Sequence, residues 1–325
     1  MDREERFEKL YKKLVDENAS ELEKQKENAF KERKRNVKMV IAFLVIFIIC
    51  SGIIIKTLNV QDGDMQEIII LYLILAAIFI ALPLMRNSAM EEYEDNFKNK
   101  IMKALMQSFN ETLEYKPKDG ISSTIYDEAS FERHNVYKST ELITGTINEN
   151  CKINMAEVYT RYDKEIGSRG GITKTSFYGI FSKIETPKTF NTELYIRKDK
   201  KNKNFLEKSE SKLLKLDKLK AQLDSSEFEG IFDIYASDKI VAMQLLTTDV
   251  MEMMVEFYNQ MNMYFEITIK ENFLYIRFYS GNNFEIVPLN EFSLDKKAIY
   301  ENYRILYFVF ELTNKLIKAI DETPY

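Results

Sequence analysis

The glycine-rich stretch Gly167–Thr175, GSRGGITKT, is the part of the sequence most like a phosphate-binding loop, with three of the chain's ten glycines within five residues. In a P-loop the last glycine directly precedes the lysine, and a helix follows. Here Lys174 follows Thr173, and the next residues, TSFYGIFSKIE, lack helical periodicity. The pattern therefore predicts a β-hairpin turn. Its basic residues, Arg169 and Lys174, are candidates for contact with a partner or with anionic lipid.

A second candidate for chemistry is a run of spaced acidic residues between positions 224 and 238. Carboxylates at such spacings suit Mg²⁺ or Ca²⁺, and Asp224, Glu227 and Asp238 are the candidate ligands. The same residues also suit helix capping, because Asp224 and Glu227 have the spacing of a capping box and Asp238 precedes a predicted helix. Both interpretations stay open on the sequence alone.

Histidine and cysteine chemistry is limited by composition. The chain has one histidine, His134, and two cysteines, Cys50 and Cys151, far apart in sequence. One histidine excludes a zinc helix of the HExxH type, and two distant cysteines give neither a metal knuckle nor a disulfide framework. A nucleophilic triad would have to use His134 itself, and no partner is evident. We assign no catalytic residue and no cofactor.

Two long apolar runs near the N-terminus are the strongest signal in the chain. Residues 39–55 and 68–85 hold 17 and 18 residues without a charge. A bilayer needs roughly 20 residues of helix, and Lys38 and Lys56 can extend their amines to the interface. The sequence predicts transmembrane helices at 37–57 and 67–86, joined by a short extracytoplasmic loop at 58–66.

The charges flanking the first run predict its orientation. Residues 31–38, KERKRNVK, carry five Lys or Arg, whereas the segment between the runs carries one Lys and three acids. The positive-inside rule then places the N-terminus in the cytoplasm. Two spans return the chain there, so both termini are expected to be cytoplasmic.

Helical stalks flank the predicted spans. Residues 1–36 lack Gly and Pro, and apolar residues recur at helical spacing with Glu and Lys between them. Residues 87–116 repeat the pattern. We predict cytoplasmic amphipathic helices that pack against each other or against a second copy of the chain, in the manner of a coiled coil.

Residues 120–325 have the pattern of a cytoplasmic α+β domain. Strands are predicted at 153–163, 175–185, 190–199, 213–219 and 231–237, and a strand, turn and strand at 264–280. Helices are predicted at 238–261, broken near Thr247, and at 295–322. The lysine-rich residues 198–212 are predicted to form an exposed loop. Strands followed by helices favour α+β over a doubly wound fold.

Residues 223–259, LDSSEFEGIFDIYASDKIVAMQLLTTDVMEMMVEFYN, carry a resemblance to a known family. They resemble the core of the bacterial domain-of-unknown-function family numbered 3137, in which Glu-Phe-Glu, Phe and Tyr-Ser-Asp lead into an Ala-x-x-Leu-Leu-Thr helix. The segments at 143–158 and 177–188 are similar to further pieces of that family. The resemblance implies a bacterial membrane protein with two spans and a cytoplasmic domain, and it implies no activity.

Taken together, these features predict an integral protein of the bacterial inner membrane that presents a cytoplasmic interaction or scaffold domain. Its expected partners are the lipid bilayer and a protein, or a second copy bound through the stalk. The net charge of −5 argues against nucleic acid. The alternative is a membrane-surface enzyme or ligand sensor that uses the acidic residues at 224–238.

Overall fold

The computed structural model describes residues 3–58, 73, 88–148, 151–165, 171–199, 214, 226–281 and 294–321. The chain divides into two compact units. The first contains Met1–Ile101 and Ile286–Lys296, and the second contains Met102–Glu285 and Lys297–Tyr325.

The first unit is built on one long helix, α1 (Arg3–Leu58), which packs against α2 (Ser88–Phe97). Helix α2 buries Tyr93 and Phe97, and Lys100 Nζ in the following turn lies 2.6 Å from Glu21 Oε2. Residues at intervals of seven or eight along α1 are buried as well: Phe7, Leu14, Leu22 and Ala29. The apolar stripes predicted for the two stalk helices are therefore buried within the chain.

The helix predicted at 87–116 ends sooner than expected. It consists of α2 (Ser88–Phe97), a π-helical turn (Lys98–Met102) and α3 (Lys103–Gln107). Beyond them, Ser108 Oγ donates to the Leu105 carbonyl at 2.7 Å, and the Asn110 side chain accepts from the Thr112 N–H at 2.9 Å. Such side-chain bonds to the backbone compete with helical ones, so the helix stops here.

The second unit contains an antiparallel sheet with six strands among the residues that the structure describes. They are β1 (Glu114–Lys116), β2 (Val136–Asn148), β3 (Cys151–Glu165), β4 (Gly171–Lys198), β5 (Phe232–Ala236) and β6 (Phe265–Phe278). Strands β1 to β5 pair in sequence order, and β6 pairs with β4. The strands predicted at 153–163, 175–185, 190–199 and 231–237 correspond to β3, β4 and β5, and the α+β class is confirmed. The strand predicted at 213–219 lies outside the described residues apart from Leu214, which is helical.

Strands β4 and β6 pair with each other twice. The ends of the two ladders are the pairs Ile180–Phe278, Glu185–Phe273, Leu194–Ile269 and Ile196–Ile267. Strand β6 is itself folded into a hairpin, with its turn at Glu271, which has φ of 55°. At the open end of this hairpin, the Tyr279 N–H donates to the Tyr264 carbonyl at 2.9 Å. The strand, turn and strand predicted at 264–280 are confirmed, and the two arms of β6 each pair with a different half of β4.

Strands β3 and β4 form the hairpin predicted around residues 167–175. Glu165 lies opposite Gly171 at the end of the ladder, and residues 166–170 lie outside the described part of the chain. A strand therefore begins at Gly171, where a P-loop requires a helix. The hairpin prediction is confirmed.

The remaining helices are α4 (Ser123–Glu128), α5 (Ser226–Glu229), α6 (Lys239–Leu245), α7 (Thr248–Met261) and α8 (Lys296–Asp321). The break near Thr247 and the final helix are confirmed. On one face of the sheet, Phe257 of α7 and Phe308 of α8 stack with centroids 3.9 Å apart and contact Phe265 and Phe278 of β6. The other face carries α4 and the residues after it, which pack in a second apolar cluster.

The apolar runs are described in part. Residues 39–55 are helical as the continuation of α1. Residues 68–85 lie outside the described residues, apart from Leu73. In the part of the chain that the structure describes, no helix has both the length and the hydropathy of a bilayer span. The two-span hairpin stays a prediction.

Candidate functional site

Four buried charged residues lie side by side across the sheet, on the face that carries α4. In strand order they are Arg277 and Glu266 on the two arms of β6, Arg197 on β4 and Asp233 on β5. Each is less than 5% exposed. Burying a charge is costly unless opposite charges and hydrogen bonds compensate it, and the alternating signs meet that need. We call these four residues the charge ladder.

The guanidinium group of Arg277 donates all its hydrogen bonds within the protein. Its Nε donates to Glu266 at 2.8 Å, and one Nη donates to the Tyr126 hydroxyl at 2.8 Å and to Glu132. The other Nη donates to the Tyr279 hydroxyl at 2.7 Å and again to Glu266. A guanidinium group has five N–H donors. All five are engaged, so Arg277 has no donor left for a bound anion.

The carboxylates that receive these bonds are also satisfied. Glu132 accepts from the hydroxyls of Tyr126 and Thr160, both at 2.8 Å, through the oxygen that Arg277 does not use. The second oxygen of Glu266 accepts from the backbone N–H of Lys198 at 3.4 Å. Arg277, Glu266 and Glu132 therefore form a closed cluster, because their charged groups bond to one another and to neighbouring hydroxyl and backbone groups.

Glu266, Tyr126 and Tyr279 each keep one protonation state near neutral pH. Burial alone would raise the pKa of Glu266, but the guanidinium groups of Arg277 and Arg197 outweigh it and hold that pKa below the usual value. Burial raises the pKa of the Tyr126 and Tyr279 hydroxyls well above the ordinary range. A general acid or base works best with a pKa near the working pH. None of these three groups meets that condition.

Arg197 and its neighbour Thr268 hold the segment that follows α4. One Nη of Arg197 donates to Thr268 Oγ1 at 2.9 Å and to the Ser130 carbonyl at 3.4 Å. Thr268 Oγ1 in turn donates to the Ala129 carbonyl at 2.8 Å. These bonds satisfy backbone carbonyls that α4 leaves unpaired at its end.

Phe131, in the same segment, lies against both arginines. Its ring centroid is 4.7 Å from Cζ of Arg197 and 4.3 Å from Cζ of Arg277. Desolvated cation–π contacts of this kind contribute about 2 kcal/mol. With Glu132 bonded to Arg277, every residue of 129–132 is attached to the sheet. We call residues 129–132 the clasp, and the cluster as a whole fixes the clasp on the sheet.

An open groove of about 540 Å³ lies on the same face, partly lined by Ile125 of α4. Lys183 Nζ lies 4.0 Å from the Phe273 ring centroid and 2.5 Å from a carboxylate oxygen of Glu128. The pairing of Lys183 leaves the groove with little net charge, and its aromatic wall suits a protein contact better than a small anion.

The candidate metal ligands are placed as follows. Asp238 caps α6, because its carboxylate accepts from the N–H groups of the second and third residues that follow it, at 2.8 and 3.2 Å. Glu227 of α5 accepts from the Asn259 side chain at 3.0 Å. Asp224 lies outside the described residues. Among the residues that are described, no group of three or more candidate ligands could hold a metal ion.

The remaining candidates are not brought together. Lys174 lies in β4 opposite Tyr162, and Arg169 falls in the undescribed hairpin tip. His134 packs against the ring of Tyr137 with centroids 5.5 Å apart. This packing is typical of a core residue. The predicted loop at 198–212 is undescribed beyond its first two residues.

The sequence reasoning missed the charge ladder and the clasp. The signal was present for two of these residues, because Glu266 and Arg277 each stand as a single charge between apolar residues, in YFEIT and YIRFY, whereas Arg197 is followed directly by Lys198 and Asp199. A lone charge in such a strand indicates either an exposed edge or a buried pair. The sequence does not distinguish an exposed edge from a buried pair. The pairing of β4 with both arms of β6 shows that these charges are buried together.

Comparison with known proteins gives one result. No curated protein and no solved structure matches the chain. Residues 175–318 match the family model described as "Protein of unknown function (DUF3137)". The match contains all four residues of the charge ladder, whereas the clasp precedes it. Residues 175–318 therefore match the DUF3137 family, the family that the sequence resembles.

Proposed function

We propose that the chain is anchored in the inner bacterial membrane and presents its α+β domain to the cytoplasm as an interaction or scaffold module. One observation carries the anchoring. Where α1 enters the first apolar run, large apolar side chains stand open to solvent, each between 47% and 66% exposed: Val37, Met39, Ile41, Phe43, Val45, Ile48 and Ile49.

These side chains do not form one face of the helix. Successive residues are about 100° apart around a helix axis, so Val37 and Met39 point in nearly opposite directions. Full removal of such a side chain from water contributes about 1.5–3 kcal/mol, so seven half-exposed ones correspond to roughly 5–10 kcal/mol. Apolar exposure on opposite sides favours a helix that crosses lipid over one that lies on its surface.

The case for binding over catalysis comes from the closed cluster. The donors of Arg277 and the carboxylates of Glu266 and Glu132 are used within the fold, and Glu266 keeps its charge and Tyr126 and Tyr279 keep their protons at neutral pH. Among the described residues, this cluster offers no poised acid or base, which favours a role as a binding surface. The groove beside α4 is one such surface.

Self-association is a further part of the proposal. The apolar stripe of α1 is already covered within the chain at Phe7, Leu14 and Leu22. A second copy would therefore bind beside that stripe or within the bilayer. Crosslinking in native membranes that gives only monomer would contradict self-association and leave the anchoring proposal intact.

Alkaline extraction of isolated membranes tests the anchor. The full-length protein should remain with the lipid, and Ile41→Asp combined with Ile48→Asp should release or destabilise it, because each charge at mid-bilayer costs about 3 kcal/mol. Tyr162→Asp is the matched control, since Tyr162 is 42% exposed on β3 and should tolerate the change. Release of the unchanged protein by alkali would contradict the proposal.

Tags on the two termini test the orientation. In intact spheroplasts both tags should resist external protease and become sensitive after lysis. Cleavage of either tag before lysis would show that the corresponding terminus lies outside, contrary to the prediction from the residues 31–38.

A further inference from the structure

A cluster of basic side chains lies on α1 directly before its exposed apolar segment. Lys31, Lys34, Arg35 and Lys38 follow the spacing i, i+3, i+4 and i+7, which places them on one face of the helix. Arg33 adds a fifth positive charge. The side chains of Lys31 and Arg35 are 68% and 71% exposed. We call these five residues the basic collar.

The acidic neighbours of the collar do not neutralise it. Lys31 lies 2.7 Å from Glu27, and Arg35 lies 4.0 Å from Glu32, both on the helix surface. Exposed pairs at these spacings contribute only a few tenths of a kcal/mol, so they yield readily to a stronger anion. Within residues 31–38, five positive charges face one negative charge.

An aromatic ring accompanies the collar. Lys34 Nζ lies 4.3 Å from the ring centroid of Phe30, which is 38% exposed. The ring and the amine lie within the two helical turns that precede the apolar segment, which begins at Val37. Together they match the chemistry of the headgroup layer, where apolar and charged groups meet.

We propose that the basic collar binds the headgroups of anionic phospholipids in the leaflet that α1 enters. The proposal rests on the proposed membrane anchoring. The apolar segment fixes the depth of the helix, and the collar then lies at the level of the phosphates. Each Lys or Arg at an anionic surface contributes about fivefold to the affinity for that surface.

Anionic lipid fits the collar better than a free phosphate does. A small anion needs several donors that converge around it, whereas these amines project outward along two turns of one helix. A lipid surface instead offers many phosphates in a plane. The collar is one local patch on a chain of net charge −5, so the patch and not the whole protein provides the attraction.

The test uses the full-length protein reconstituted in phosphatidylcholine vesicles with or without phosphatidylglycerol. Spin-labelled lipids report which headgroup is enriched around the protein. The combined change Lys34→Gln, Arg35→Gln and Lys38→Gln should reduce the preference for phosphatidylglycerol on the order of tenfold to a hundredfold. Glutamine keeps the helix propensity of the replaced residues.

The matched control is Lys9→Gln, Lys12→Gln and Lys13→Gln on the same helix. These residues lie more than 20 positions before Lys34, which is roughly 30 Å along the helix and several Debye lengths at physiological salt. The control should keep the wild-type preference. Added salt should weaken the preference of the wild type, whereas inorganic phosphate at matched ionic strength should not abolish it.

The outcomes separate the two proposals. Insertion into both kinds of vesicle without any phosphatidylglycerol preference, or a preference that the collar variant retains, would overturn the collar assignment alone. Loss of the preference on adding inorganic phosphate would show that the collar binds free phosphate, which also overturns it. Failure to insert into either vesicle would overturn the anchoring itself.

Discussion

Replacing Arg277 by methionine tests whether the closed cluster stabilises the fold. Methionine has a similar length and no charge, so the change removes five hydrogen bonds and the cation–π contacts with Phe131 and Phe177, while it still fills most of the space of the side chain. The carboxylates of Glu266 and Glu132 then lack Arg277, their main positively charged partner, and repel each other. The fold should become markedly less stable.

The magnitude follows from the burial of the two carboxylates. The Glu266 side chain is 6% exposed and that of Glu132 is 18% exposed. Breaking a buried ion pair by removing one partner costs about 3–5 kcal/mol. Because Arg197 still lies near Glu266, we expect a loss of about 3 kcal/mol. A domain with an ordinary free energy of unfolding, about 5–15 kcal/mol, would still fold, but that free energy would be much smaller.

Urea unfolding of the full-length protein in detergent measures this loss. The chain has no tryptophan, so tyrosine fluorescence and far-ultraviolet circular dichroism are the probes. With a slope of about 2 kcal/mol/M, the midpoint should fall by roughly 1.5 M. Adding Glu266→Gln to Arg277→Met should recover part of the loss, because it removes one of the unpaired charges.

Lys183→Met is the control. Lys183 pairs with Glu128 on the same face of the sheet, but the Glu128 side chain is 41% exposed and water can replace the lysine. Its loss should cost less than about 1 kcal/mol. If Arg277→Met is no more destabilising than Lys183→Met, the cluster does not stabilise the fold and our reasoning about it is wrong.

Two further predictions concern acid stability and helix capping. The pKa of Glu266 is lowered in the folded state from its ordinary 4.5 because Arg277 and Arg197 outweigh burial, so its stabilisation is complete above that pH and is lost as the pH falls through the lower folded value. The urea midpoint should therefore drop below about pH 4.5, and Glu266→Gln should flatten this part of the pH profile. Asp238→Ala should cost about 1 kcal/mol through loss of the cap on α6, and Asp238→Ser should restore most of it. Unchanged stability with a loss of divalent-cation affinity would instead favour a metal role for Asp238.

The sequence predicted most of the second unit because its local and long-range signals agree. Alternation in 153–163 and 175–185 matches the faces of β3 and β4, and Glu271 marks the turn of β6 as expected. The end of the helix after the second apolar run was missed, because Ser108 and Asn110 act through side-chain bonds to the backbone. Composition alone does not reveal such bonds.

The candidate site was not predictable in the same way. Arg197 and Glu266 are 69 positions apart, and Glu132 precedes both. They meet because the arms of β6 pair with different halves of β4. No local period encodes that arrangement. The sequence instead drew attention to Asp238 and Lys174, whose types suggest chemistry but which lie at a helix cap and in a hairpin strand.

The charge ladder also bears on how the sheet finds its register. A slip of one residue between β4 and β6 would move Arg197 or Arg277 to the opposite face. There they would meet the aromatic cluster of Phe257 and Phe308, which offers no carboxylate. An unpaired buried charge costs far more than the native ladder gains over an apolar replacement. We infer that the ladder excludes wrong pairings of β6 more than it adds net stability, and that replacing all four residues by apolar ones would give a stable protein with a less uniquely defined register.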